Sequence, residues 1–368
     1  MAFWIGLAIF ILASIVAERL LPPQYKKFMP ILVMCVLTFF GLFRYEIGTD
    51  YDWYIVLFDT VKIDDLYPEP TFLLLVEFLH QFHFSYQVMF IAYELPIMLL
   101  LWSGIRYYTK DTEVQILIIA LYYCLQYFFS LNGIRQGLSM VLIFWGYRYC
   151  LERSLWKYLL VVALAASMHY SAVVATVLYF VPNRVFSWYK YAIVFILTFI
   201  VFKLNIVLAF LSALFGILQV DGRYLNYLSD VDSVKMTGLY MFVQFGLFSI
   251  ARIAIMEMKP QYKGLLNLWF LGILGHFLFS FSLPITRLTK YFEYFIILIM
   301  PYTIQYLNSN FLLQVKDKIY NFKWGYIILL FYMYTFLNMM SGIPQDYYSN
   351  WRNPYPSSMN IEYQFNFK

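Results

Sequence analysis

The chain has 368 residues, of which 62% are hydrophobic and 13% are charged, and its formal net charge is +5. Soluble domains carry about 25% charged residues, so this composition excludes an ordinary soluble protein and predicts an integral membrane protein. The three cysteines show no CxxC spacing, and we predict neither a metal site nor a disulfide.

Apolar segments long enough to cross a bilayer as helices recur along the chain, whereas the short alternating segments of a membrane barrel do not occur. We predict an all-α integral membrane protein with about twelve transmembrane helices. No linker or repeat divides the chain, so a single polytopic membrane domain over residues 1–368 is expected. The predicted helices cover residues 3–19, 29–43, 86–103, 113–130, 137–150, 156–168, 171–182, 190–209, 237–256, 264–282, 291–307 and 324–340.

Two further apolar segments, 71–84 and 206–220, are short or interrupted. Each is a predicted half-helix lying in or against the membrane. The first helix has no positive charge before it and no clear cleavage site, which favours a retained helix over a signal peptide.

Most lysines and arginines lie at one set of alternate helix ends, which the positive-inside rule assigns to the cytoplasm. The opposite, extracytoplasmic face then carries the loop 44–70, the loop 221–236 and the C-terminal tail 341–368. We therefore predict a multi-pass protein whose polar extracytoplasmic loops form the functional site.

The beginning of the first of these loops, residues 44–54, combines one arginine, three carboxylates and four aromatic residues. A carboxylate such as Asp50 or Asp52 can deprotonate an acceptor hydroxyl, and the rings of Tyr51 and Tyr54 can stack on a sugar. A solvated acidic loop and an interfacial aromatic belt are the alternatives.

Three arginines, Arg44, Arg135 and Arg287, lie at the ends of apolar segments on the face where arginine is rare. A guanidinium binds phosphate oxygens through two parallel hydrogen bonds, so converging arginines suit a lipid-linked phosphate or pyrophosphate. Alternatively, each arginine extends to lipid headgroups or pairs with a loop acid such as Asp50.

His169 interrupts an apolar hairpin on the same predicted face. It can take a proton from a sugar hydroxyl or donate a hydrogen bond to a phosphate, although a structural role is equally compatible with its position. Ser171 follows closely, but no acid in the neighbouring sequence completes a hydrolase-like triad.

Together these segments resemble the EpsG and Wzy families of bacterial polysaccharide polymerases. The matching pieces are Phe43-Arg44, Gly48-Thr49-Asp50-Tyr51 with Tyr54, Asn132-Gly133-Ile134-Arg135-Gln136-Gly137-Leu138, His169-Tyr170-Ser171-Ala172, and Arg287 with Tyr291 and Phe292. The resemblance implies a fold related to class C glycosyltransferases. It also implies an enzyme of the bacterial inner membrane that joins oligosaccharide repeat units carried on undecaprenyl pyrophosphate, without metal or cofactor, at the periplasmic face.

By this resemblance, Arg135 and Arg287 neutralise the departing pyrophosphate, and Arg44 steers the same group or orders the loop. Either Asp50 or His169 is the base. The implied substrate-binding residues are Arg44, Tyr51, Asp52, Tyr54, Asn132, Gln136 and Tyr291. The implied partners are a lipid-linked donor and acceptor, membrane lipid and a Wzz-like co-polymerase that sets chain length. Nucleic acid is not an implied partner.

Three other functions stay open at the level of sequence. An O-antigen ligase shares the architecture and an arginine–histidine site, but should carry a larger outer loop. A flippase or sugar transporter would use Glu94 and the arginines to bind cargo, although no repeat symmetry is visible. An acyltransferase would depend on His169 alone.

Overall fold

The computed structural model describes residues 2–62, 68–217, 238–310, 313–315, 318–320 and 323–342. Helices make up nearly all of the described chain, and the helical prediction is confirmed. The predicted loop 221–236 lies outside the described residues, as does all but the first two residues of the predicted tail 341–368.

In chain order the α-helices are α1 Ala2–Leu20, α2 Pro23–Lys26, α3 Phe28–Leu42, α4 Tyr51–Thr60, α5 Pro70–Gln81, α6 Tyr86–Tyr108, α7 Thr112–Tyr122, α8 Phe128–Asn132, α9 Ile134–Gly146, α10 Arg148–Leu151, α11 Leu155–Met168, α12 Trp188–Lys203, α13 Ile206–Ile217, α14 Gly238–Met258, α15 Lys263–Leu278, α16 Leu283–Thr286, α17 Lys290–Glu293, α18 Ile296–Asn310 and α19 Tyr326–Gly342. A π-helical turn, Tyr123–Tyr127, joins α7 to α8, and 3₁₀ helices cover Tyr170–Phe180, Pro260–Tyr262 and Arg287–Thr289. The described strands, β1 Leu313–Val315 and β2 Lys318–Tyr320, pair antiparallel.

Among the described residues, five helices have the length and hydropathy to span a membrane. They are Ala2–Leu20, Pro23–Leu42, Tyr86–Tyr108, Thr112–Asn132 and Met241–Met258. A bent pair, Trp188–Lys203 with Ile206–Leu214, adds a sixth if its 62° break lies within one span. The chain is thus a multi-pass membrane protein by length and composition. Several other apolar helices, such as α11, are shorter than a full span, and the count of about twelve remains a prediction.

The described residues divide into two compact units. The first contains residues from Met1–Val173 and Leu307–Lys368, and the second contains residues from Val174–Tyr306. The first unit holds α1 to α11, with β1, β2 and α19, and the second holds α12 to α17. The functional side chains of each unit are described separately below.

The core of the first unit is centred on α9, which packs against α6 and α11. Two glycines permit these close approaches. A Cβ at Gly104 would lie 2.6 Å from the Phe144 ring, and one at Gly146 would lie 2.5 Å from Cγ1 of Val161. Nearly every side chain of α9 is buried as a result. Its first turn carries Arg135, so the core places that guanidinium at the end of a rigid, enclosed helix.

The π-helical turn Tyr123–Tyr127 lies inside the span that runs from α7 to α8. A π turn holds one more residue than an α turn and is commonly found at functional sites. The hydroxyl of Tyr123 donates to the carbonyl of Trp4 at 2.6 Å, and that of Tyr127 donates to the carbonyl of Leu37 at 2.7 Å. These bonds fix the turn against α1 and α3. The span ends at Asn132, whose orientation therefore depends on this turn.

Part of the predicted loop 44–70 is helical, because Tyr51–Thr60 forms α4. Tyr51, Tyr54 and Phe58 recur at helical spacing and are buried, whereas Trp53 is 50% exposed. This one-sided pattern is that of an amphipathic helix. The helix is hard to predict from the sequence because many polar residues directly precede it. The helix is too short to span a bilayer and packs against the protein along one side.

Candidate functional site

The loop between α3 and α4 is held against the turn between α8 and α9. The hydroxyl of Thr49 and the backbone N–H of Asp50 donate to Oδ1 of Asn132, at 2.8 and 2.9 Å. Gly48 has φ +107°, and a Cβ there would lie 3.2 Å from Cα of Asn132. A side chain is therefore disfavoured at residue 48 both by its backbone conformation and by the close approach of the turn.

Arg44 also connects the loop between α3 and α4 to the turn between α8 and α9. Its guanidinium is buried, donates to the carbonyl of Leu131 and lies 4.4 Å from the centre of the Phe90 ring. Tyr51 stacks on Phe90 at 4.8 Å. Of the two roles expected from sequence, steering of a phosphate and ordering of the loop, this geometry matches the second.

The other loop residues expected to contact substrate differ in exposure. Tyr51 and Tyr54 are 2% and 4% exposed, and the Tyr54 ring packs 6.1 Å from that of Phe72. Asp52 is half-buried, and burial, together with the negative charge of Glu46, raises the pKa of Asp52 to about 6. Both tyrosine rings are thus occupied by protein contacts, whereas Asp52 retains contact with solvent.

A buried carboxylate, Glu69, joins two residues that were singled out from the sequence. One oxygen, Oε2, forms a salt bridge with Arg135, and the other, Oε1, lies 2.6 Å from Nδ1 of His169. The backbone N–H of Tyr170 also donates to Oε1, at 3.3 Å. The Glu69 side chain is 2% exposed, that of Arg135 is 7% exposed and that of His169 is 28% exposed. The triad is therefore buried at the carboxylate and open to solvent at the imidazole.

The charge of Glu69 determines which histidine nitrogen carries a proton. Burial alone would raise the pKa of Glu69, but the hydrogen bond from His169 and the charge of Arg135 outweigh it and hold this pKa below its ordinary value. An ionised carboxylate can only accept hydrogen bonds, so Nδ1 of His169 is the donor. Whenever the ring is neutral, Nε2 is then the nitrogen that can accept a proton.

Arg135 occupies a position where a cation is not favoured by its own helix. It is the second residue of α9, and the positive end of the helix dipole repels a cation there. Glu69 offsets this effect, and the guanidinium also lies over the rings of Tyr54 and Phe72, at 5.7 and 5.5 Å. The first turn of α9 therefore carries a guanidinium that one carboxylate and two aromatic rings hold in place.

The segment 132–138 is shaped by a tight turn between α8 and α9. A Cβ at Gly137 would lie 2.9 Å from Cα of Ser130, so these two helices meet almost in backbone contact. Gln136, expected from sequence to bind substrate, is buried at 3% exposure beside this contact. Asn132 uses its side-chain oxygen to hold the loop at residues 49 and 50.

Two residues expected at the same site, Arg287 and Tyr291, belong to the second unit. Arg287 begins a 3₁₀ turn and is half-buried, and Tyr291 is 1% exposed within α17. Their predicted contact with the pyrophosphate remains a prediction.

Sequence reasoning did not single out Glu69, although it is the residue that connects Arg135 to His169. It lies 66 positions before the one and 100 before the other. The sequence offered only Pro70 as a signal here, because proline is common at the first position of a helix. Here Glu69 does precede the first residue of α5, but its side chain makes no capping bond. Its carboxylate is used for the triad.

A model of the EpsG family matches residues 26–353, which is most of the chain. The chain belongs to the EpsG family. This confirms the family resemblance noted from the arginine, asparagine and histidine motifs. No curated protein and no solved structure matches the chain. Within this EpsG family member, the match covers part of the first unit, all of the second unit and every site residue discussed above.

Proposed function

We propose that this EpsG family protein is a polysaccharide polymerase. It transfers a growing oligosaccharide from undecaprenyl pyrophosphate to the end of another lipid-linked repeat unit, at the extracytoplasmic face of the bacterial inner membrane. Family membership supports a polymerase of repeat units. The observation that carries the mechanism is the triad of Glu69, Arg135 and His169.

His169 is the proposed base. A hydroxyl of the acceptor sugar gives its proton to Nε2 of His169, and the hydroxyl oxygen attacks the anomeric carbon of the donor. The bond between that carbon and the pyrophosphate oxygen breaks, and its electron pair leaves with undecaprenyl pyrophosphate. Glu69 positions the ring and stabilises the imidazolium that forms, as the carboxylate does in other carboxylate–histidine pairs.

Arg135 is the proposed electrostatic group. Negative charge grows on the pyrophosphate as it leaves, and a guanidinium fixed at a helix N-terminus is directed at such charge. Because Glu69 and two aromatic rings already hold Arg135 in place, little reorganisation is needed during the reaction. Arg287 is assigned to the pyrophosphate on the family resemblance.

The loop residues receive supporting roles in this proposal. Arg44 and Asn132 order the loop, Tyr51 and Tyr54 pack it, and Asp52 contacts a sugar. Asp50, the alternative base, is assigned to this loop because its backbone N–H and the hydroxyl of Thr49 both donate to Asn132. The full set of about twelve spans and the relation to class C glycosyltransferases also belong to this proposal.

The direct test is polymerisation by the purified chain in liposomes that contain only lipid-linked repeat units. A ladder of products is expected from the parent protein. His169→Gln should lower the rate by about two to four orders of magnitude, and Arg135→Ala should lower it by about two to three. A ligase would make no ladder from repeat units alone, and a flippase would move them without joining them. Near-normal ladders from both variants would reject this site.

Metal independence is tested in the same assay. The proposed chemistry uses only side chains, so adding EDTA should leave the polymerisation rate unchanged. A loss of activity that Mg²⁺ or Mn²⁺ restores would contradict the proposal.

Adding a Wzz-like co-polymerase to the same assay should change the length of the products and not their formation.

A further inference from the structure

A second carboxylate–histidine–cation cluster lies entirely within the second unit. Glu293 accepts hydrogen bonds from Nδ1 of His276 at 2.7 Å, from Nζ of Lys290 at 3.0 Å and from Oγ1 of Thr289 at 2.9 Å. None of these four residues was singled out as a site residue from the sequence. The cluster repeats the arrangement of Glu69, Arg135 and His169 with an unrelated set of residues.

The backbone is arranged to bring this cluster together. Gly272, Gly275 and His276 share one face of α15, because they are three and four residues apart. A Cβ at Gly272 would lie 2.8 Å from Cγ of Glu293, and one at Gly275 would lie 2.8 Å from Cγ2 of Thr289. The glycines thus let the turn 287–293 lie directly on the helix, where His276 can reach Glu293.

The cluster lies on a turn that carries two basic residues. Lys290 pairs with the carboxylate of Glu293, and Arg287 begins the same turn. An ammonium has three N–H donors, of which the bond to Glu293 uses one. The side chains of Lys290 and His276 are 26% and 19% exposed, so both side chains are partly open to solvent.

We propose that Lys290 and His276, held in place by Glu293, form a second anion-binding site that takes a phosphate or pyrophosphate group. A half-buried cationic group strengthens charge-assisted hydrogen bonds to such an anion, because water screens them less than at an open surface. The anion is either the pyrophosphate of a lipid-linked substrate or a soluble phosphate compound. Only the first of these sources rests on the proposed function.

The test is calorimetric titration of the detergent-purified full chain with inorganic pyrophosphate and, separately, with geranylgeranyl pyrophosphate. Lys290→Ala should weaken binding by about 10- to 100-fold, since a hydrogen bond to a charged group contributes about 1.5–3 kcal/mol. Lys259→Ala removes the same charge elsewhere in the second unit and should leave binding unchanged. Tighter binding of the prenyl compound identifies a lipid-linked source, and equal binding identifies a soluble one.

Glu293→Gln gives a result of opposite sign. The amide keeps the shape of the side chain and removes the charge that competes with the ligand, so pyrophosphate should bind several-fold more tightly. A purely structural ion pair would give neither the loss with Lys290→Ala nor the gain with Glu293→Gln. Unchanged affinity in both variants, with melting temperatures near that of the parent, would overturn the proposal.

Failure of this site and failure of the proposed function are distinguishable. The titration is repeated in Arg135→Ala, where the binding that depends on Lys290 should persist. If the parent makes no polymer but Lys290→Ala still weakens pyrophosphate binding, the anion site stands and the polymerase assignment falls. If polymer forms but neither Lys290→Ala nor Glu293→Gln changes pyrophosphate binding, the polymerase assignment stands and the anion site falls.

Discussion

Nδ1 of His169 lies 2.6 Å from Oε1 of Glu69, although the two residues are 100 positions apart in the chain. Tertiary structure alone creates this pair, because one residue precedes α5 and the other follows α11. The same carboxylate holds Arg135 through its second oxygen. A single acid thus sets the orientation of both the proposed base and the proposed electrostatic group.

The first prediction concerns the dependence of His169 on Glu69. His169→Gln removes the base and should lower the polymerisation rate by about 10²- to 10⁴-fold, and Glu69→Gln should lower it by about 10²-fold because it disturbs the tautomer. The double variant should lose less than the product of the two single losses, since Glu69 acts partly through His169. Single-turnover rates measure this. Multiplicative losses in the double variant would show that the residues act separately.

The second prediction distinguishes the two candidate bases. Asp50→Asn keeps the backbone N–H that donates to Asn132, so the loop should remain in place. If His169 is the base, this variant should retain polymerisation within about tenfold of the parent, a smaller change than loss of an acid–base group produces. A loss as large as that of His169→Gln, with unchanged melting temperature, would assign the base to Asp50 instead.

The third prediction concerns the docking of the loop. Gly48→Ala places a Cβ where φ is +107° and only 3.2 Å from Cα of Asn132, so we expect a destabilisation of about 1–3 kcal/mol. The melting temperature in detergent should fall and the ladder should shorten. Gly6→Ala is the matched control, since nothing lies within 4 Å of its new methyl group. Equal melting temperatures for the two variants would contradict the importance of this contact.

The fourth prediction is a pH dependence of stability. The pKa of Glu69 is lowered in the folded protein, so its pairing stabilises fully above the ordinary carboxyl value near 4.5. That contribution is lost as the pH falls through the lower, folded pKa. The melting temperature should therefore drop on acidification below about pH 4.5. Glu69→Gln should show a smaller drop over this range, and an identical drop would exclude Glu69 as its source.

The apolar segments of the sequence predict most helix positions well. The run expected at residues 29–43 is α3, Phe28–Leu42, because burial in an apolar medium requires an unbroken helix there. The run expected at 137–150 begins earlier, at Ile134. The polar residues Arg135 and Gln136 resembled a loop, but in the folded chain both lie inside the helix, where Glu69 pairs with Arg135.

The candidate site is less visible in sequence than the fold. Arg135 and His169 were identifiable because polar residues are energetically costly at the ends of apolar helices and commonly mark functional sites. Glu69 was not, since its role comes from contacts with distant parts of the chain. Likewise, the sequence left two roles open for Arg44, and its contacts with Leu131 and Phe90 match the ordering of the loop.

Because of the π-helical turn at Tyr123–Tyr127, the geometry of the site depends on the number of residues between this turn and Asn132. Removing one residue there would restore a regular helix and rotate everything after it by about 100°. Asn132 would then point away from Thr49, and the loop would lose its anchor even though every side chain of the site was unchanged. The spacing between Tyr123 and Asn132 is therefore as important to the site as the identity of its residues, and an insertion or deletion of one residue in this interval would disconnect the loop.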